Sequence, residues 1–205
     1  IKFFSAIGEK LSDEVELAIE QEVDGAFVTV PSERLGKARR IDDAVARYAE
    51  YCKSTVAKDF SLHGLKLVLD CAHGATYQVA PKVFAELGAE VIAIGDKPDG
   101  FNINREVGST HPQALQQAVL AHGADMGMAF DGDGDRLVLV DRHGALADGD
   151  DILYILARIL HARGRLKGPV VGTLMSNDGL QQALAEFGVP LLRANVGYSY
   201  VMQQL

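Results

Sequence analysis

The chain has 205 residues, 48% of them hydrophobic and 23% charged, an ordinary globular composition that excludes the disordered and fibrous classes. Its formal net charge of -8 comes from intermixed acids and bases, so no continuous positive face is offered to a phosphodiester backbone, and nucleic acid is excluded as a partner. No apolar run reaches the ~20 residues of a membrane span, and Cys52 and Cys71 lack metal-type spacing in a chain without a leader-like start, so a reducing cytoplasm is the expected location.

In chain order, Ser12 is placed to cap a helix whose Val15, Ile19 and Val23 recur on one face, with Gly25 just past its end. Residues 31–40 are polar and aperiodic and read as a connection. A second helix is expected over 41–53, where Ile41, Val45, Tyr48, Ala49 and Cys52 fall on one stripe. From Gly64 the elements alternate: a buried strand over 65–69, a Gly-containing loop, a helix over 79–87, Gly88, and a strand over 90–94. This is a βαβ unit. A helix over 113–121 follows, entered through Pro112 and closed by Gly123, and then two apolar strands at 126–130 and 137–140. Beyond a helix over 152–160 the βαβ order returns as a strand at 169–172, a loop at 176–179, a helix over 180–187, Gly188, and a strand at 190–193. The two glycines stand 100 residues apart, so the chain reads as two copies of one α/β module. It lacks an initiator Met, and residues 201–205 read as the opening of a helix, so a piece of a longer protein is expected.

The segment that carries chemistry is Asp131-Gly132-Asp133-Gly134-Asp135-Arg136, the tip between the two apolar strands. Three carboxylates at alternate positions of a continuing strand would line one face and repel one another. Positive φ at Gly132 and Gly134 would let the backbone curl so that the side chains converge. Converging carboxylates need a cation, and all-oxygen ligation selects a hard one such as Mg²⁺. An EF-hand loop starting at Asp131 is excluded, because Arg136 and Arg142 stand where it needs Gly and Glu, and strands flank it in place of helices. A phosphatase using Asp131 as nucleophile and Asp133 two residues on passes the same local test and also requires Mg²⁺. Arg136 is either the fork that holds a phosphate beside the metal or a charge-balancing partner. The similar string Asp148-Gly149-Asp150-Asp151 opens a helix, where acidic residues need no metal to explain them. His73 and His111 read as ordinary loop residues.

The Phe130–Arg136 string resembles the metal-loop signature of the α-D-phosphohexomutases. Arg40-Ile41-Asp42-Asp43-Ala44, Asp96-Lys97-Pro98-Asp99-Gly100 with Asn102-Ile103-Asn104, and Gly172-Thr173-Leu174-Met175-Ser176-Asn177 resemble its glucosamine-phosphate branch. The resemblance covers essentially the whole chain. It implies three-layer α/β modules with mixed sheets, in an enzyme of four domains around a deep cleft. On that pattern residues 1–41 close domain one, 42–141 form domain two with the metal loop, and 142–205 are an incomplete domain three.

The implied activity interconverts glucosamine 6-phosphate and glucosamine 1-phosphate through an enzyme phosphoserine and a bisphosphorylated sugar. Mg²⁺ would sit on Asp131, Asp133 and Asp135, Arg136 would steady the phosphate, and Lys2 would match a lysine that assists proton transfer. Asn195, Gly197 and Ser199 would face substrate, in a loop where the branch carries an Asp-Arg pair in place of Tyr198-Ser199. The family's phosphoserine, sugar-recognition loop and C-terminal phosphate-binding domain have no counterpart in these residues, so this chain alone is expected to be inactive. A homodimer of the full-length enzyme is compatible with the pattern. The alternatives are a phosphomannomutase or phosphoglucomutase, and a catalytically silent metal-binding module of a larger assembly.

Overall fold

The computed structural model describes residues 3–8 and 10–205. Helix α1 (Asp13–Asp24) forms where expected, with Asp13, Glu14 and Glu16 in its first turn, where the helix dipole favours negative charge. Ser12 holds the N-cap position, but its hydroxyl makes no bond to the helix backbone. It bonds the Glu14 carboxylate and holds that group below the usual range. None of the α1 residues is buried: on the Val15, Ile19, Val23 face Ile19 is half-buried and the two valines are exposed, so the face is largely uncovered among the described residues. The connection that follows contains one 3-10 turn, Ser32–Arg34.

Helix α2 (Ala44–Ser54) begins three residues later than the stripe suggested. Asp43 precedes it, with its carboxylate taken by Arg47 Nε at 2.8 Å, and Ile41 is left 62% exposed. Ala49 is the one buried residue of the helix.

The next elements build one mixed sheet. Strands β1 (Lys66–Asp70) and β2 (Glu90–Ile94) are parallel and joined through helix α3 (Val79–Glu86). Helix α4 (Gln113–His122) leads to β3 (Met126–Phe130), which lies parallel to β1 on its other side. Strands β4 (Leu137–Asp141) and β5 (Leu146–Ala147) add antiparallel partners, giving the order β2-β1-β3-β4-β5.

The central strand β1 is buried on both faces, as its continuous apolar run requires. Leu67 and Leu69 pack with Ala80 and Phe84 of α3 on one side. Val68 packs with Leu115 and Val119 of α4 on the other. The result is helix, sheet, helix. At Gly127 a Cβ would meet Val119 Cγ2 at 2.6 Å and Leu115 Cδ1 at 2.8 Å, so the missing side chain lets α4 approach the sheet.

Helix α5 (Gly149–Ala162) opens with a capping box in which Asp148 accepts from the Asp151 N–H and the Asp151 carboxylate accepts from the Asp148 N–H. The second βαβ unit is β6 (Val170–Thr173), α6 (Asp178–Ala185) and β7 (Leu191–Ala194), with β6 and β7 parallel. Its core joins Ala157 of α5 to Val170, Leu180, Leu184 and Val189. Helix α7 (Tyr198–Met202) closes the described chain. Among the described residues no helix is long and apolar enough to cross a membrane.

Because β1, β2 and β3 are parallel, their C-terminal ends Asp70, Ile94 and Phe130 share one edge of the sheet. The loops 71–78, 95–112 and 131–136 therefore gather there, the edge of an open α/β sheet where sites are usually built.

Candidate metal centre

The acidic tip begins as soon as Phe130 pairs with Leu137, which leaves six residues to turn between antiparallel strands. Asp131 organises the turn from its first position. Its Oδ1 accepts from the Gly134 and Arg136 N–H groups, both at 3.1 Å. Gly134 takes φ 77°, the left-handed conformation expected of it.

Gly132 does not. Its φ is not positive, and its role is close approach instead. A Cβ there would meet Ile103 Cδ1 at 2.6 Å and Asn104 Nδ2 at 3.0 Å, and Gly74 faces its backbone from β1's loop.

So turned, Asp131, Asp133 and Asp135 each present a ligand atom, all within 4.8 Å of one another. Two unit charges about 4 Å apart repel by ~1 kcal/mol even at the dielectric of water. Three such groups on one short loop are stabilised by a cation. Asp133 and Asp135 are exposed and Asp131 is half-buried, so the cluster is supported from below and open above. The donor set is oxygen only, which suits a hard divalent ion. Asn104 Oδ1 and Ser109 Oγ lie buried without a hydrogen-bond partner among the described residues, in the loop that packs beneath the tip.

Arg136 lies beside the cluster with Nε 3.8 Å from Asp131 Oδ2 and its side chain 75% exposed. Asn195 and Gly197 lie between β7 and α7, beside the other sheet, with Gly197 in an extended, positive-φ conformation (φ 141°) at the helix start, and Ser199 is in the first turn of α7. Lys2 lies outside the described residues. The second acidic string is built into α5. Asp148 and Asp151 form its cap, and Asp150 Oδ2 accepts from Asn177 N–H and Nδ2, tying α5 to the start of α6. His73 has a loop role, its Nδ1 accepting from the Lys97 N–H at 3.2 Å.

Residues 45–144 match the family model for phosphoglucomutase/phosphomannomutase, alpha/beta/alpha domain II, and residues 148–205 match that for domain III. The chain belongs to the phosphoglucomutase/phosphomannomutase family. It is 62% identical over all 205 residues to a phosphoglucosamine mutase of Methylobacillus flagellatus, and 60% identical to one of Pseudomonas syringae pv. syringae. It spans 45% and 46% of the length of those relatives. A phosphoglucomutase/phosphomannomutase family protein from Burkholderia thailandensis matches with a TM-score of 0.72 at 26% identity, over 95% of this chain and 41% of that one. A Thermus thermophilus structure, described as a phosphomannomutase, shares the fold with a TM-score of 0.71 at 20% identity, over 95% and 45%.

In this family member the residues missed by sequence reasoning lie where β1 runs into its loop. Asp70 ends β1 fully buried, accepting from the Ala72 N–H at 3.0 Å and the Gly108 N–H at 2.7 Å. Burial pushes its carboxyl up, and the two N–H groups pull the other way. Next to it, burial pushes the Cys71 thiol up to about 11, which makes it an inert core group. The available signal was a carboxylate closing an apolar strand and followed within four residues by a glycine, Gly74.

Proposed function

We propose that the whole protein is a phosphoglucosamine mutase, interconverting glucosamine 6-phosphate and glucosamine 1-phosphate through an enzyme phosphoserine and a bisphosphorylated sugar. The observation that carries this reading is the 62% identity, over every residue of the chain, to a relative of that name. The convergence of three carboxylates supports Asp131, Asp133 and Asp135 as the residues that would hold Mg²⁺. Bound there, the ion would supply a positive charge to a phosphoryl group in transfer, where most of the catalysis of such reactions resides.

This chain's own residues have distinct tasks in the proposal. Asp131 keeps the tip closed through its two backbone bonds, so that the other carboxylates stay aimed at one point. Arg136, exposed and only loosely paired, is free to turn its fork towards a phosphate. Lys2 would move a proton at the sugar hydroxyl, and Asn195, Gly197 and Ser199 would contact the substrate. Residues 1–41, 42–141 and 142–205 are assigned to the end of domain one, domain two and part of domain three, in a cytoplasmic enzyme.

The test is an assay of the whole protein with glucosamine 6-phosphate, mannose 6-phosphate and glucose 6-phosphate, before and after exhaustive chelation. The expected result is preference for the amino sugar, activity lost on chelation, and recovery with Mg²⁺. Preference for a hexose phosphate would move the protein to another branch, and indifference to chelation would remove the metal assignment.

A further inference from the structure

Asp131 is gripped from both sides. On its N-terminal side, the Phe130 carbonyl accepts from the Ser109 N–H at 2.8 Å. On its C-terminal side, the Gly132 carbonyl accepts from the Ala75 N–H at 2.8 Å. The two donors come from different loops, and both loops lead back to one carboxylate. Asp70 Oδ2 holds Gly108, the residue before Ser109, and Asp70 Oδ1 holds Ala72, which opens the turn that delivers Ala75. A further bond joins the loops directly, from the Asn104 N–H to the Ala72 carbonyl at 2.8 Å.

The local geometry explains why an anchor is needed. Ala72 and His73 have φ of 54° and 49°, a left-handed pair of non-glycine residues that is strained unless its surroundings hold it. Gly108 has φ 83°, and a Cβ there would meet Ala72 Cβ at 2.6 Å and Phe130 O at 2.8 Å. At Gly74 a Cβ would meet Gly132 O at 2.3 Å. Three backbones thus meet in contact around Asp70 and the tip. A fully buried carboxylate costs desolvation, which its two N–H bonds offset only in part. Its presence at this crossing makes sense as a fastening for the loops.

We propose that Asp70 is a positioning residue for the acidic tip, one carboxylate whose two oxygens fasten the loops that hold Phe130 and Gly132 and thereby set Asp131 for metal binding. The proposal rests on the metal reading of Asp131, Asp133 and Asp135 given above. Asn at position 70 can accept at only one of the two N–H groups, because its NH₂ would face the other donor. One grip on Asp131 should then be lost while the apolar core stays whole.

The test is a titration of the whole protein with Mn²⁺, read by the electron paramagnetic resonance of free ion, with far-UV circular dichroism as a check of the fold. Asp70→Asn is compared with Asp125→Asn. Asp125 also accepts from a backbone N–H, that of Lys66 at 2.9 Å, but it lies at the opposite end of β1. Asp70→Asn should keep its helical signal and weaken Mn²⁺ binding by roughly 10–100-fold, the range typical of residues that orient metal ligands. Asp125→Asn should bind as the unsubstituted protein does. Unchanged binding by folded Asp70→Asn overturns the positioning role alone. Absence of Mn²⁺ binding by the unsubstituted protein overturns the metal reading together with it. Should Asp70→Asn not fold, Mg²⁺ titration of the unsubstituted protein decides by amide NMR. The Ala72 and Gly108 resonances should shift with the same midpoint as those of residues 131–136, and their silence would overturn the proposal.

Discussion

The two βαβ units use one local grammar to different ends. In both, a parallel pair is joined through a single helix, and the glycine before the second strand is left-handed, φ 101° at Gly88 and 76° at Gly188. They part in the loop after the first strand. The loop after β1 is fastened by buried Asp70 to the residues around Gly108 and packs backbone to backbone on Gly132. The loop after β6 bonds within itself, Thr173 N–H donating to Ser176 Oγ and Met175 N–H to Thr173 Oγ1, and is tied to its own unit, Leu174 N–H donating to the Ala194 carbonyl and Asn177 to Asp150 of α5. Its Leu174 and Met175 are 62% and 78% exposed. A βαβ unit therefore supplies an edge and a loop, and the neighbours decide what the loop does. For the first unit the neighbour is the β3–β4 hairpin, whose tip is the acidic cluster.

The sharpest way to break this comparison is to exchange carboxylates in the two acidic strings. Asp133→Asn in the whole protein removes a charge and a ligand atom from the tip, so metal binding and phosphoryl transfer should both collapse with the fold intact. Asp151→Asn keeps an oxygen that can accept from the Asp148 N–H and loses mainly its interaction with the helix dipole, about 0.3–1 kcal/mol. Calorimetric metal titration beside steady-state kinetics checks both, and a more damaging Asp151→Asn would place the chemistry on the wrong unit.

A second pair probes packing. Gly74→Ala drives a Cβ into the backbone oxygen of Gly132 at 2.3 Å, where nothing can rotate away. Its cost in urea unfolding should reach or exceed the top of the ~1–3 kcal/mol range for overpacking. Gly172→Ala in β6 meets Ser176 Oγ at 2.6 Å, the end of a side chain that can turn aside. That variant should cost about 1 kcal/mol. Equal costs would mean that the two loops are braced alike.

The smallest expected effect is electrostatic. In the first unit, Glu86 at the end of α3 bonds Lys53 of α2 at 2.6 Å and Lys82 at 2.7 Å. The side-chain bond from Lys53, followed by that from Lys82, brings its pKa from the usual 4.5 down to about 2. The folded value is the depressed one, so the contribution is complete above about pH 4.5 and is lost as pH falls towards about 2. In the second unit, the start of α6 is held by Asn177 Oδ1 accepting from the Leu180 N–H. The protection of α3 amides, taken relative to their intrinsic exchange rates at each pH, should therefore fall on acidification through that window more than the protection of α6 amides, and Glu86→Gln should flatten the α3 response. Both are surface pairs, so the shift should be slight.

Most elements were legible because each depends on neighbours in sequence. The apolar run over 65–69 gave β1, Pro112 and Gly123 bounded α4, and the Gly88–Gly188 spacing gave the repeated unit. Helix α1 shows the limit of the same reasoning. Its periodicity was real and produced a helix, yet none of its residues is buried among the described residues, because burial is a property of the partner.

The candidate site divides along the same line. That Asp131, Asp133 and Asp135 would converge followed from their spacing and from a turn that six residues must make between two strands. Conformational preferences act over a few bonds and leave their mark in the local string. The role of Gly132 was misread as positive φ, because its constraint comes from Ile103, Asn104 and Gly74. Asp70 was passed over because its partner Gly108 stands 38 residues away. The bond between them exists only once β1 and β3 are side by side and their loops share an edge. Hydrogen bonds and steric contacts reach only a few ångströms in space, so where they fall is decided by the strand order, and that order belongs to the tertiary structure.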